Sequence, residues 1–486
     1  MKQVIVIGGG IAGLSAAYYL QKKMALIGSD DATDIRVTVL EASNRWGGKI
    51  TTDRLPFEGG QFIVEGGPDT FLATKPYAKA LCEELGLGRR LHGTNPEQRN
   101  TYVLHRGQLL PLPDGLAMMI PTNVEAILKT RLVPWSAKAR MGLDFILPAK
   151  PVNGDESLGA FVSRRLGRQA YENLIEPLMS GIYAGDGDVL SLTSTFPYLR
   201  DLELKYGSLA RGALTLHKQT MAAKGAPAPG SRSAFLTPTT GLAEIIEALV
   251  EYLASHNVEL RLNTQVTSVD EADKWRIELS DGSRLDADGL VLATPAFVSG
   301  TLLRNVDRGL AASLEQIPYT STATISLAYR LSDIPRALDG YGYVIPRSEG
   351  RGALACTWTS TKFPHRAPEG FALLRVFAGR AGQDIPWEEK ELLKLAREEL
   401  RLTLGIEAEP LLSRVFMWEK AMPQYNLGHP RLLEQIDEAL KGHPGLALSG
   451  NGYRGIGIPD CIHSGELAAQ EMLEGIEVES SRLRSK

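Results

Sequence analysis

The chain is poor in the residues that build covalent staples and metal cages. Its 486 residues include 3 cysteines and 8 histidines. Cys82, Cys356 and Cys461 are odd in number, far apart and without C-x-x-C spacing. That pattern excludes a disulfide framework or zinc ribbon and fits a reducing compartment. The histidines show no H-x-x-x-H or H-x-H spacing, so no metal site is expected, and His365 and His463 read as solvated or internally satisfied. Charge of one sign is also missing. With 53 basic and 57 acidic residues the net charge is −4, which lacks the basic field that nucleic-acid binding needs. Nor is there a long hydrophobic run. Residues 4–20 come nearest, but they fall short of the about 20 apolar residues of a membrane span, and four glycines interrupt them. A cytoplasmic protein, at most peripheral to a membrane, is the expectation.

What the chain has in excess is glycine, 49 of 486 residues, against a usual fraction of about 7%. The remaining composition, 43% hydrophobic and 23% charged, is ordinary for a chain with a sizeable core. Its length suggests about three domains. Fifteen glycines fall in three windows, 1–13, 47–67 and 450–465. Such clustering marks places where the backbone needs positive φ or must approach something closely.

Residues 4–7 form a buried-strand run, 14–20 a helix, and 36–40 a second strand, which together make an opening βαβ unit. Between strand and helix lies Gly8-Gly9-Gly10-Ile11-Ala12-Gly13, a G-x-G-x-x-G sequence. Gly8 permits the tight turn, Gly10 lets the backbone approach a pyrophosphate, and Gly13 lets helix and strand pack closely. The helix N-terminus supplies free N–H groups and a positive dipole end. Glu41, closing the second strand, is the expected ribose acceptor and argues against a 2′-phosphate. It lies 28 residues after Gly13, beyond the usual ~20, so residues 24–34 read as an insertion. FAD and NAD both remain open at this point.

The stretch Glu41-Ala42-Ser43-Asn44-Arg45-Trp46-Gly47-Gly48-Lys49 narrows the choice. An acidic strand end followed by a basic residue and Gly-Gly resembles the second signature of the amine-oxidase-like flavoprotein superfamily. Arg45 and Lys49 could meet phosphate or flavin oxygens there. Glu65–Thr70 adds another close-approach turn, and Gly450-Asn-Gly-Tyr-Arg-Gly-Ile-Gly-Ile458 precedes a final helix over 460–473. Further wording is closer to one family: EGGPDTFL at 65–72, LDFILPA at 143–149, NLIEPLMSGIYAGD at 173–186, STFP at 194–197, MPQY at 422–425 and GIPDC at 457–461. These stretches resemble the oxygen-dependent porphyrinogen oxidases of haem synthesis, nearest to the soluble Gram-positive bacterial type that uses coproporphyrinogen III.

The resemblance implies an FAD-dependent, O2-using six-electron oxidation of a porphyrinogen with release of H2O2, driven by aromatisation. It implies FAD contacts at Gly8, Gly9, Gly10, Ile11, Ala12, Gly13, Glu41, Ala42, Arg45, Gly48, Lys49, Gly67, Pro68, Asp69, Thr70, Val266, Trp418, Gly450, Ile456, Gly457 and Ile458. Lys75 and Arg99 are candidates to hold propionates, and no catalytic base is assigned. No cysteine lies between 414 and 450, so the FAD is expected to be non-covalent. Protoporphyrinogen IX oxidation is the alternative. More distant ones are an amine oxidase or carotenoid-type desaturase, opposed by the absence of an aromatic residue at 455–458, and a flavin-containing porphyrin carrier. Haem-pathway enzymes are conceivable partners.

The expected fold is α/β: a discontinuous, Rossmann-like FAD-binding domain from 1–92, 230–305 and 441–486, a helical insertion over 93–229, and an antiparallel substrate-binding sheet over 306–440. Residues 222–233 read as an exposed linker. The apolar, proline-bounded stretch 109–121, with Met118-Met119, reads either as a cavity or membrane-facing wall or as core.

Overall fold

The computed structural model describes residues 2–27, 35–117, 119–150, 154–223 and 233–484. Residues 28–34, within the expected insertion, Met118 and most of the expected linker lie outside them.

Val4, Ile5, Val6 and Ile7 are buried on both sides, as the strands of a parallel sheet covered by helices must be. Val4 and Val6 join a core with the helices Ile11–Ile27, Ala243–Ser255 and Ile458–Arg484. Ile5 and Ile7 join another, with Leu290, Leu292 and the helices Ala296–Leu303, Arg308–Glu315 and His429–Leu440. The sheet between these layers has five parallel strands in the order Glu259–Arg261, Ile35–Leu40, Lys2–Ile7, Gly289–Leu292, Leu446–Leu448. The chain enters it near both ends and in the middle. Beside it the strands Val266–Glu271, Trp275–Leu279 and Arg284–Ala287 form a separate antiparallel three-stranded sheet. Ser157 caps the helix Leu158–Leu166 by accepting from the Ala160 N–H at 3.1 Å.

A seven-stranded sheet forms the second layer, in the order Leu412–Pro423, Tyr319–Arg330, Phe371–Ala378, Ala353–Trp358, Gly340–Val344, Asn100–His105, Gln108–Pro111. All its pairs are antiparallel except Gly340–Val344 with Asn100–His105. Two of its strands therefore come from the stretch expected as the helical insertion. Arg106 and Gly107, both at positive φ, make the two-residue hairpin loop between them. Helix Glu389–Leu404 covers one face of the sheet. The other face carries the hairpin Thr52–Phe57/Gly60–Glu65 at one end.

Helices between Val124 and Ala223 build the third layer around Phe161, Tyr171, Leu174 and Tyr425. Residues 109–121 divide between two cores: Met119 and Ile120 are buried in this packing, with Leu110, Leu112 and Leu116 against it, while Leu109 is buried in the core of the seven-stranded sheet. Pro111, Asp114 and Gly115 are exposed, so among its described residues the stretch is core only in part. No helix among the described residues is long and apolar enough to cross a membrane.

Candidate functional site

Gly8 leaves the first strand at φ 114° and donates its N–H to the Leu40 carbonyl at 2.8 Å. The Gly9 N–H donates to a Glu41 carboxylate oxygen at 2.7 Å, and the other oxygen accepts from the Ser43 N–H at 2.9 Å. A side chain at position 9 would strike Trp46, and one at 13 would strike the Gly8 carbonyl. Gly10 differs: a Cβ there would have only the Gly48 Cα at 4.0 Å. Gly10 faces open space at the start of a helix whose first N–H groups have no partner within it. The Gly47 N–H donates to the Gly9 carbonyl at 2.8 Å, which brings the second glycine loop alongside the first. Ile11 and Ala12 are buried at the helix start and Ala42 is exposed beside Glu41. The Thr264 N–H donates to the Glu41 carbonyl at 2.9 Å, which places Val266, two residues on, near the same strand ends.

Arg45 is spent on its own loop. Its guanidinium donates to the Gly48 carbonyl at 2.5 Å and reaches the Trp46 and Ile50 carbonyls. Lys49 meets no carboxylate among the described residues; its ammonium lies 3.5 Å from Asn451 Oδ1 and over the Tyr319 ring. Desolvation lowers this ammonium to about 8.

The Glu65–Thr70 turn lies on the open face of the seven-stranded sheet. The Gly66 carbonyl accepts from Trp418 Nε1 at 2.8 Å and from Thr324 at 2.7 Å. The Gly67 carbonyl accepts from Arg375. Pro68 and Thr70 are half-buried beside Asp69, whose carboxylate is 3.1 Å from the Lys362 ammonium. Burial works to raise the Asp69 carboxyl, but Lys362, Arg375 and Arg366 together hold it well below the usual range. Sequence reasoning missed Arg375, Arg366, Lys362 and Thr324. An arginine inside the apolar strand Phe371–Ala378 was the one available signal.

At the C-terminal side, Gly450 takes φ 126° and donates its N–H to Ser464 Oγ at 3.1 Å. Tyr425 O–H donates to the Asn451 carbonyl at 2.7 Å and accepts from the Gly455 N–H at 2.9 Å. The Gly457 N–H donates to Asp460, and Ile456 packs on the helical layer while Ile458 enters the core beneath the first helix. The two expected substrate cations do not converge. Lys75 is bound to Asp460, and Arg99 is exposed with its Nε donating to the Pro96 carbonyl at 2.9 Å.

Within the clustered windows, Gly59, Gly60 and Gly465 serve turning and packing. Gly59 and Gly60 turn the hairpin, and Gly465 lets the last helix cross the first, where a Cβ would lie 2.5 Å from the Ala12 carbonyl.

Known proteins match the chain over nearly its whole length. The chain is 37% identical over 480 residues to the coproporphyrinogen III oxidase of Bacillus subtilis (strain 168), covering 97% of this chain and 98% of that one. It is 35% identical over 482 residues to the coproporphyrinogen III oxidase of Staphylococcus aureus (strain NCTC 8325 / PS 47), covering 97% and 99%. A solved structure from Exiguobacterium sp. 255-15 superposes with a TM-score of 0.82 at 32% identity, over 98% of this chain and 99% of that one. The family described as flavin containing amine oxidoreductase matches residues 11–473, and the chain belongs to it.

Proposed function

We propose that this chain oxidises coproporphyrinogen III to coproporphyrin III, passing six electrons to three O2 with release of three H2O2, and that its flavin is FAD held without a covalent bond. The observation that carries the reading is the near full-length likeness to coproporphyrinogen III oxidases, over a site whose donors suit a dinucleotide. The cradle at Gly10 would admit a pyrophosphate, Glu41 a ribose hydroxyl, and Val266 an adenine edge. Gly48, Lys49, Gly67–Thr70, Trp418 and Ile456–Ile458 would border the ring system. When bound, the flavin supplies the electron acceptor for the substrate and the centre that O2 reoxidises. The chain's own task is to position: Trp418, Thr324 and Arg375 hold the carbonyls of the Gly66-Gly67 turn and so fix its backbone.

The same reading assigns the three segments of the parallel sheet to FAD binding, and the seven-stranded sheet with the helical layer to the porphyrinogen. Peripheral contact with a membrane from the cytoplasm is supported by Trp135 and Ile146, 70% and 76% exposed, beside Lys138 over the Trp135 ring.

Turnover of coproporphyrinogen III and protoporphyrinogen IX under air, read by porphyrin fluorescence and peroxide, tests this function. Faster oxidation of the first is expected. Oxidation of neither would overturn the reading, and flavin remaining on the acid-denatured chain would overturn its non-covalent part.

A further inference from the structure

We propose that Arg375 is a positioning residue that raises the reduction potential of the flavin, through a net positive charge buried behind the Gly66–Thr70 turn. This rests on the reading of that turn as a border of the flavin.

Arg375 sits mid-strand, paired with Ser326 and Thr357, and is 2% exposed. Its Nη2 donates to the Gly67 carbonyl, while Nε and Nη1 have no partner among the described residues. The guanidinium also lies over the Phe377 ring, 4.6 Å from its centroid. A buried cation with unspent donors is costly, and an arginine keeps its charge even there. Holding one carbonyl does not require that cost, because a neutral amide could donate the same bond.

The neighbours do not cancel the charge. Arg366, fully buried, donates to Glu65 at 2.7 Å and to Thr237 at 2.5 Å. Lys362 pairs with Asp69 at 3.1 Å. Three cations thus face two carboxylates, Glu65 and Asp69, in one group in which Arg375, Arg366 and Glu65 are buried and Lys362 and Asp69 are 14% and 17% exposed. Burial pulls the Arg375 guanidinium down while Asp69 and Glu65 pull it up, and Asp69 is held ionised by the surrounding cations. One positive charge remains behind the backbone of Gly67–Thr70, where low dielectric lets it act across the turn. A bound flavin that becomes anionic on reduction is favoured by such a field, as developing charge is by any preorganised cation.

The test is the midpoint potential of the bound flavin, read by spectroscopic redox titration of the holoenzyme without substrate. Arg375→Gln and Arg375→Met shift the potential to more negative values, and Arg375→Lys stays near the parent. Asp69→Asn, which removes a negative charge, shifts it to more positive values. Where an Arg375 variant does not fold, Lys362→Met makes the same negative shift. Unchanged potentials, or shifts of one sign for cation and anion removal, overturn the proposal. A merely structural role would give no such opposition of sign. Absence of coproporphyrinogen turnover with these shifts intact would overturn the proposed substrate alone, and a folded parent chain that retains no flavin would overturn both readings.

Discussion

The Lys75 ammonium donates to both carboxylate oxygens of Asp460, at 2.6 and 2.7 Å, and so ties the start of helix Pro76–Glu84 to the first turn of helix Ile458–Arg484. The acid also lies where a helix N-terminus favours it. A cation committed in this way is a poor holder of propionate. Lys75 is 43% exposed and Asp460 15%, so the pair is worth about 1 kcal/mol. Lys75→Met is therefore expected to lower the melting temperature slightly and leave KM for coproporphyrinogen unchanged. Steady-state kinetics beside calorimetry check this. A KM raised tenfold or more at unchanged melting temperature would return Lys75 to the substrate.

Gly10 and Gly13 separate binding from folding. A Cβ at Gly10 meets nothing nearer than 4.0 Å, so Gly10→Val is expected to fold while filling the space a pyrophosphate would take. Its flavin affinity should fall by at least tenfold, about 1.4 kcal/mol. At Gly13 a Cβ would strike the Gly8 carbonyl and lie 3.1 Å from the Ala293 Cβ. Gly13→Val is expected to damage the chain before any ligand binds. Flavin absorbance with far-ultraviolet circular dichroism distinguishes them, and a yellow, saturated Gly10→Val would remove Gly10 from the site.

The contrast between these two glycines shows what a sequence can carry. The strand, glycine turn and helix at residues 2–27 were legible because the elements and their motif are contiguous. The five-stranded sheet was legible in outline because apolar strands recur near both ends and in the middle. Gly59 and Gly60 have the positive φ and Gly465 the close approach that the clustering implies, but composition cannot tell a hairpin turn or a helix crossing from a ligand wall. The strands at 100–111 were missed because Arg-Gly is a weaker turn signal than Asn-Gly. Arg375, Lys362 and Arg366 come together only when the sheet forms, with Asp69 and Glu65 some 300 residues earlier in the chain. No spacing rule links them, and Lys75 looked free because its partner lies 385 residues away.

The helical layer holds a second buried charge group. Arg165 and Asp144 are both 0% exposed, joined by Nε to Oδ1 at 2.6 Å. Asp144 also accepts from Ser208 Oγ at 2.6 Å and from the Ala210 N–H at 2.9 Å. Removing Asp144 leaves the buried Arg165 only Glu203, 3.6 Å away and shared with Arg164 and Arg200, and costs about 3 kcal/mol, the lower end of what breaking a buried pair costs. Asp144→Ala is expected to lose that much in urea unfolding. Arg165→Met together with Asp144→Leu is expected to lose much less. Equal losses for the single and double variants would mean that packing, not charge, dominates.

His443, in the loop after helix His429–Leu440, joins two elements. Its Nδ1 lies 2.6 Å from Glu271, at the end of strand Val266–Glu271, and its Nε2 lies 3.2 Å from Asp307, the cap of helix Arg308–Glu315. Burial acts to lower the imidazole, but hydrogen bonds and charge from Glu271 and Asp307 outweigh it and raise the group above its ordinary 6.5. The fold therefore favours the protonated ring. Its contribution is complete below the unfolded value of about 6.5 and disappears as pH rises through the raised folded value. Asp307 stays ionised across this range, chiefly because the Leu310 N–H and His443 hold its carboxyl low. Replacing the ring by an amide removes the charge but keeps a donor. His443→Gln is thus expected to be less stable than the parent by about 1 kcal/mol at about pH 5.5, with the gap closing toward about pH 9. Thermal unfolding of both proteins across that range measures it. A gap that widens with pH would mean that the neutral ring, and not the imidazolium, is what the two carboxylates stabilise.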